Sequence, residues 1–98
     1  MRLQFHPAAA EEYLAAVEYY EEALPGLGRR FHEAVRATSG RALMHPESGS
    51  ARRGVARHLI VAGFPYDLVY QVRGEVLEVL AVAHQRRRPG YWKDRREA

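Results

Sequence analysis

The 98-residue chain contains no cysteine, which excludes a disulfide scaffold, a thiolate metal site and a cysteine nucleophile and leaves the fold to stand on its core. Lysine is nearly absent: of fifteen cationic side chains fourteen are arginine, and Lys93 is the one exception. Arginine-favouring codons can produce that bias, but arginine's planar fork also suits bidentate contact with carboxylate or phosphate and stacking on aromatic rings. No apolar stretch approaches the roughly 18–20 residues of a membrane span, and Met1 to Phe5 reads as a short strand, not a signal-peptide core. The chain is therefore expected to be cytoplasmic, with no membrane partner. It has no dinucleotide fingerprint and no phosphate-binding loop, and no Ser-His-Asp arrangement that sequence can support. None of His6, His32, His45 and His58 stands at metal-ligand spacing from His84, so neither a cofactor nor a metal is expected.

What is present suits one small domain over residues 1–98, with 47% hydrophobic and 10% aromatic residues. A chain of this length buries only roughly 60–65% of the surface its unfolded form exposes. The net charge of +3 hides an asymmetry: residues 1–50 carry five Arg against seven Glu, whereas residues 51–98 carry nine Arg and Lys93 against five acids. A basic C-terminal half points to a polyanionic or acidic partner.

Arg2-Leu3-Gln4-Phe5 alternates as a strand does, and His6-Pro7 opens a helix. Ala10, Tyr13, Leu14, Val17, Tyr20 and Leu24 then recur at three- and four-residue steps, with Glu11, Glu12, Glu18, Glu21 and Glu22 expected on the solvated side. Tyr13, Tyr19 and Tyr20 read as packing residues. Pro25-Gly26 ends this helix. A second runs through Leu27, Phe31, Ala34, Val35, Thr38, Ala42 and Leu43 to His45-Pro46, and Gly40 is expected to kink it or end it early. Pro46 to Ser50 reads as loop. Beyond it the period becomes two. One run covers Val55 to Ala62, a second Phe64 to Arg73, and a third, after the Gly74 turn, Glu75 to His84. In the third, Leu77, Val79, Ala81 and Ala83 take one side and Val76, Glu78, Leu80, Val82 and His84 the other, as in an interior strand covered on both faces. The expected architecture is α+β: an N-terminal strand and an αα-hairpin packed on one face of a mainly antiparallel sheet, in the order β-α-α-β-β-β. The opposite face is expected to stay partly open, where Arg57 and the residues after His84 could meet a partner.

The densest chemical signal is Ala83-His84-Gln85-Arg86-Arg87-Arg88-Pro89-Gly90-Tyr91-Trp92. Arginines neutralise phosphates and aromatics stack on bases, so this mixture suits single-stranded nucleic acid. It is also compatible with a solvated strand end on which Trp92 plugs the C-terminal segment against the sheet. His84 has the side chain for general acid or base work near neutrality, although a lone histidine at a strand end more often serves the backbone.

The element order, the strand Phe64-Pro65-Tyr66-Asp67-Leu68-Val69-Tyr70-Gln71-Val72 and the ending Val79 to Trp92 together resemble the RelE/ParE superfamily of toxins from bacterial type II toxin-antitoxin systems, over nearly the whole chain. The resemblance implies the RelE/ParE-like fold, a toxin neutralised by a cognate antitoxin, and one of two targets: DNA gyrase for ParE-like members, or mRNA in the ribosomal A site for RelE-like endoribonucleases. On the RelE-like reading, Arg86 or Arg88 matches the last-strand arginine, Tyr91 the C-terminal tyrosine with a one-residue offset, and Arg53 or Arg57 the middle-strand cations, with His84 in place of a base. The lysine-rich strand of the strong ribonucleases is missing, and the long helical hairpin with FPY and HxRR is closer to ParE-like members. The expectation is thus a ParE-like gyrase inhibitor, with the ribonuclease as alternative and a non-toxic antitoxin-binding module as a third reading. Arg53, Arg57, Arg86, Arg87, Arg88, Tyr91 and Trp92 are the expected contacts with target or antitoxin, and the antitoxin is expected to be acidic and partly disordered.

Overall fold

The computed structural model describes residues 1–51 and 56–97. A strand, β1 (Arg2–Phe5), is followed by α1 (Pro7–Ala23) and α2 (Leu27–Met44), then β2 (Ser50–Ala51), β3 (Arg57–Ile60), β4 (Tyr66–Arg73), β5 (Val76–His84) and a terminal 3₁₀ helix (Lys93–Glu97). Among the described residues the sheet runs β1-β5-β4-β3-β2; β1 lies parallel to β5 and the remaining pairs are antiparallel. The α+β architecture is as expected. The short strand β2 is an addition, because Ser50 and Ala51 pair with His58 and Arg57 in a segment that composition marks as loop.

The helical hairpin is held by local devices legible in the sequence once the geometry is known. His6 Nδ1 accepts the Ala8 N–H at 3.1 Å, capping α1, and Pro7 occupies a first-turn position where its missing N–H costs nothing. At the turn Gly26 takes φ +91°, a left-handed conformation open to glycine. The Glu21 carboxylate accepts the N–H groups of Gly26 (2.9 Å) and Gly28 (3.0 Å), capping α2 from the preceding helix. A Cβ at Gly28 would lie 2.6 Å from the Val17 carbonyl oxygen, so glycine lets the two helices touch. Gly40 does not end α2. The helix continues to Met44 because Phe31, Val35, Thr38 and Ala42 form one buried stripe whose packing outweighs the roughly 1 kcal/mol glycine penalty. In α1 the buried stripe is Ala9, Tyr13, Ala16 and Tyr20, while Leu14, Tyr19 and Leu24 project into solvent, contrary to expectation.

The helices cover one sheet face, burying Leu68, Tyr70, Leu77, Val79 and Val82 against Ala9, Ala16, Phe31, Val35 and Ala42. An aromatic cluster fills one end, with Phe31 at 5.0 Å from both Phe64 and Tyr66 and 5.3 Å from Tyr20, in tilted or edge-on geometry. In β5 the pairing slips: Val69 faces Ala81 but Tyr70 faces Val79, which leaves Leu80 as the extra residue of a bulge. The simple alternation expected for this strand therefore reverses at Leu80. Leu77, Val79 and Val82 face the helices, while Leu80, Ala81 and Ala83 face the other way.

That second face is not open along its middle. The chain after β5 folds back across it and places Trp92, 2% exposed, over Val69, Leu80, Ala81 and Ala83. Gly90, at φ +77°, makes the reversal that brings Trp92 down.

Candidate functional site

The chain beyond β5 is a series of tight turns. Gln85 N–H binds Pro65 C=O, Arg87 N–H binds His84 C=O, and Lys93 N–H binds Gly90 C=O, each within 3.0 Å. These turns leave Arg86, Arg87 and Arg88 exposed at one end of the sheet. The Arg87 guanidinium lies 3.9 Å from the centroid of the Tyr91 ring, a cation–π contact that fixes its direction.

Tyr91 belongs to a network that sequence reading placed elsewhere. β1 pairs with β5 only as far as Phe5 opposite Val79, so among the described residues the outer edge of β5 beyond that point has no neighbouring strand. Glu12 of α1 fills the gap. Its carboxylate accepts Val82 N–H at 3.1 Å, the Tyr91 hydroxyl at 2.9 Å and both guanidinium nitrogens of Arg95 at 3.0 and 3.1 Å. Arg95 also donates to Leu80 C=O at 2.8 Å. The side chains of Glu12 and Arg95 are only 18% and 17% exposed. Glu12 is thus not part of a solvated acidic face. It is the half-buried partner of Arg95, and the bidentate pair closes an edge that could otherwise recruit another strand.

Burial, followed by the hydrogen bond to Glu12, holds the Tyr91 hydroxyl well above the usual tyrosine range. The folded state keeps this proton more tightly than the unfolded chain, so the contribution is intact below the ordinary value of 10.0 and is lost as pH rises further. Burial raises Tyr13, Tyr20 and Tyr66 in the same sense. Alkaline titration followed by circular dichroism should show unfolding that begins above about pH 10, and Tyr91→Phe should make the loss of stability with pH shallower. An unchanged slope in that variant would show that Tyr91 does not contribute.

The other expected site residues are dispersed. Arg57 lies on the helix-facing side of β3, where Nη1 donates to the carbonyls of Gly49 (2.9 Å) and Glu47 (3.3 Å) and clamps the α2–β2 loop. Tyr70 pins the same loop, donating to Pro46 C=O and accepting Gly49 N–H. His84 also turns to the helix-facing side. Its ring packs edge-on against Tyr66 at 5.1 Å, and Nδ1 accepts Arg86 N–H. Trp92 is a core residue, not a surface contact, because the second face of the sheet needs an apolar cover. Arg53 lies outside the described residues. Arg57, His84, Arg86, Arg88 and Tyr91 therefore do not converge on one point.

A different grouping does converge. On the second face His58 Nδ1 stands 3.5 Å from Asp67 Oδ2, Gln85 Nε2 donates to Asp67 Oδ1 at 3.2 Å, and the His58 ring meets Trp92 edge-on at 5.5 Å. His58, Asp67 and Gln85 line a groove of about 550 Å³ together with Arg41, Ser50, Leu59 and Ile60. Through His58, Asp67 and Gln85 the groove adjoins a recess of about 110 Å³ beside Arg87, Arg88 and Pro89. The signal was present in the pairing of β3 with β4: His58 opposes Val69 and Ile60 opposes Asp67, which makes His58 and Asp67 diagonal neighbours on one face. Among the described residues no group of three or more His, Asp or Glu side chains is arranged to hold a metal ion.

Residues 3–89 match the family model described as ParE toxin of type II toxin-antitoxin system, parDE. Among solved structures the chain is similar to one described as "Chromosomal ParDE TA system from P. aeruginosa", with a TM-score of 0.75 and 16% identity over 86% of this chain and 95% of that one. No curated protein matches the sequence.

Proposed function

The chain belongs to the ParE toxin family of type II toxin-antitoxin systems, and from that premise we propose that it arrests growth by inhibiting DNA gyrase in the cytoplasm and is neutralised by an acidic, partly disordered antitoxin. Among the described residues no helix is long and apolar enough to cross a membrane. The observation that carries the binding reading is the state of the groups a ribonuclease would use for proton transfer. The Tyr91 hydroxyl is spent on Glu12, His84 Nδ1 on Arg86 N–H, and Arg57 on loop carbonyls. What reaches solvent is the arginine turn, whose forks suit contact with a large anionic or acidic surface.

Supercoiling by purified gyrase should be inhibited by the purified chain, and mRNA ends mapped after its expression should show no A-site cuts. A-site cuts with unaffected supercoiling would replace this reading with the ribosome-dependent ribonuclease. Expression without growth arrest would leave only an antitoxin-binding module.

Arg86→Ala with Arg88→Ala is expected to weaken gyrase inhibition by about tenfold or more, the equivalent of about 1.4 kcal/mol of binding. Both side chains are exposed, so the thermal midpoint should stay within about 2 °C of the parent. Full inhibition by this variant would reduce the arginine turn to a solvated strand end.

A further inference from the structure

From Leu80 to His84, β5 is an edge strand that, among the described residues, only side chains close. β1 stops opposite Val79, and past that point Gln85 N–H binds Pro65 C=O in β4. The alternation of the antiparallel ladder therefore turns the backbone groups of Ala83 towards β4 and those of Val82 and His84 outward. At this outer edge the Glu12 carboxylate accepts Val82 N–H, and Arg95 Nη1 donates to Leu80 C=O. The paired side chains offer one acceptor and one donor, the two groups that a peptide unit of a neighbouring strand would offer. The edge is closed by a latch and not by a strand.

The edge also matches itself. Val79-Leu80-Ala81-Val82-Ala83 carries no charge, proline or glycine, a composition that pairs edge to edge when left uncovered. Two copies set antiparallel about a two-fold axis at Val82 bring Val82 opposite Val82, each N–H donating to the other's C=O, and place His84 N–H opposite Leu80 C=O. Both backbone groups that the latch occupies then find backbone partners. The same direction carries the arginine turn of each copy past the end of β1, towards the start of α1 of the other. That helix contains five glutamates and no cationic side chain, so the two surfaces attract.

We propose that the Glu12–Arg95 pair is a latch that holds the chain monomeric, and that opening it makes the β5 edge an interface for a second copy, with the two β5 strands antiparallel in one continuous sheet. Such a dimer depends on neither gyrase nor an antitoxin. Glu12→Ala with Arg95→Ala opens the latch and removes both charges together, so neither is left without its counterion. Sedimentation of the full chain should show the parent monomeric up to about 1 mM, and the double variant dimerising between about 10 µM and 1 mM. Over that range the Val82 and His84 amides of the ¹⁵N-labelled variant should exchange about tenfold more slowly as concentration rises, whereas those of the parent should not change. Adding Val82→Pro removes the outward N–H at an edge position where proline is tolerated, and should return the variant to monomer. Unchanged resonances in α2 and β3 would confirm the fold. Should the double variant not fold, Arg95→Lys, which keeps the charge and loses the fork, decides by the same two measurements.

A folded variant that stays monomeric at about 1 mM would overturn the proposal. Val82 protection independent of concentration would do the same, since the chain's own C-terminal segment would then be refilling the edge. Concentration-dependent protection confined to Ile60 at the β3 edge or to the helical hairpin, or a dimer that survives Val82→Pro, would put the contact elsewhere and remove this interface. A parent chain already dimeric through Val82 would remove the latch.

Discussion

Trp92→Ala is expected to lower the free energy of unfolding by about 3–5 kcal/mol, the cost typical of deleting a large aromatic from a core. That is a large share of the roughly 5–15 kcal/mol that keeps a small domain folded. The indole is 2% exposed and is the main apolar cover of the second sheet face, where its neighbours Ala81 and Ala83 are too small to close the gap. Its loss also loosens the turn that carries Tyr91 and Arg95, so the damage should reach beyond the cavity to the plug at the β5 edge. Urea denaturation followed by circular dichroism at 222 nm would measure the change, with Trp92→Phe losing distinctly less. A loss below about 1 kcal/mol would mean that the C-terminal segment contributes little to the fold. Any accompanying loss of toxicity would then have to come from the surface and not from unfolding.

Glu12→Gln should cost about 3 kcal/mol for a different reason. The carboxylate accepts four donors, two of them from Arg95, and of these Arg95 Nη1 keeps a second acceptor in the Leu80 carbonyl. The amide retains one acceptor oxygen and turns an N–H₂ group towards donors, which leaves the Arg95 charge mostly buried without its counterion. Removing one partner of a buried pair is the expensive case. Glu12→Gln combined with Arg95→Met should recover part of the loss, because the remaining charge is removed and a flexible apolar chain fills the space. Equal destabilisation in the single and double variants would show that the hydrogen bonds to Val82 and Tyr91, and not the ion pair, carry the contribution. The Leu80 carbonyl would lose its Arg95 donor in the double variant, so recovery should be incomplete.

Both variants act on the C-terminal segment, the part of the chain where sequence reading and structure diverge most. The helical hairpin was legible because its signals are local. Pro7 and Pro25-Gly26 punctuate it, and apolar spacing near 3.6 marks the face that must be buried. Even there, Leu14 and Leu24 satisfied the spacing but lie outside the stripe, because the rotation of α1 is set by where α2 and the sheet press on it and not by apolarity alone. Along β5 the period of two was visible, but the bulge at Leu80 was not. An unpaired residue is defined against the partner strand, and nothing in the strand itself marks it.

The candidate site divides in the same way. The arginine turn could be read directly, since three consecutive arginines after a strand seldom do anything but face solvent, and Arg86 to Arg88 are exposed. Glu12 could not. It sits 70 residues from Val82 and 83 from Arg95, and helical spacing assigns it to the same acidic surface as Glu11. Only the early departure of β1 from β5 creates the unpaired edge that a carboxylate must fill. His58 and Asp67 likewise become neighbours through strand register.

By itself the sequence determined the order of elements, the amphipathic hairpin, the basic end of the sheet and the family, because each is written in residue types at short spacing. The tertiary structure decided which acid is drawn into the β5 edge, which aromatic is core, and that Arg57 stands apart from the arginine turn while His84 anchors it. Those outcomes depend on which strand edges are left unpaired and which face the C-terminal segment covers. They follow from the requirement that every buried backbone group find a partner and every apolar face a cover, a condition the chain meets only through contacts between residues far apart in sequence.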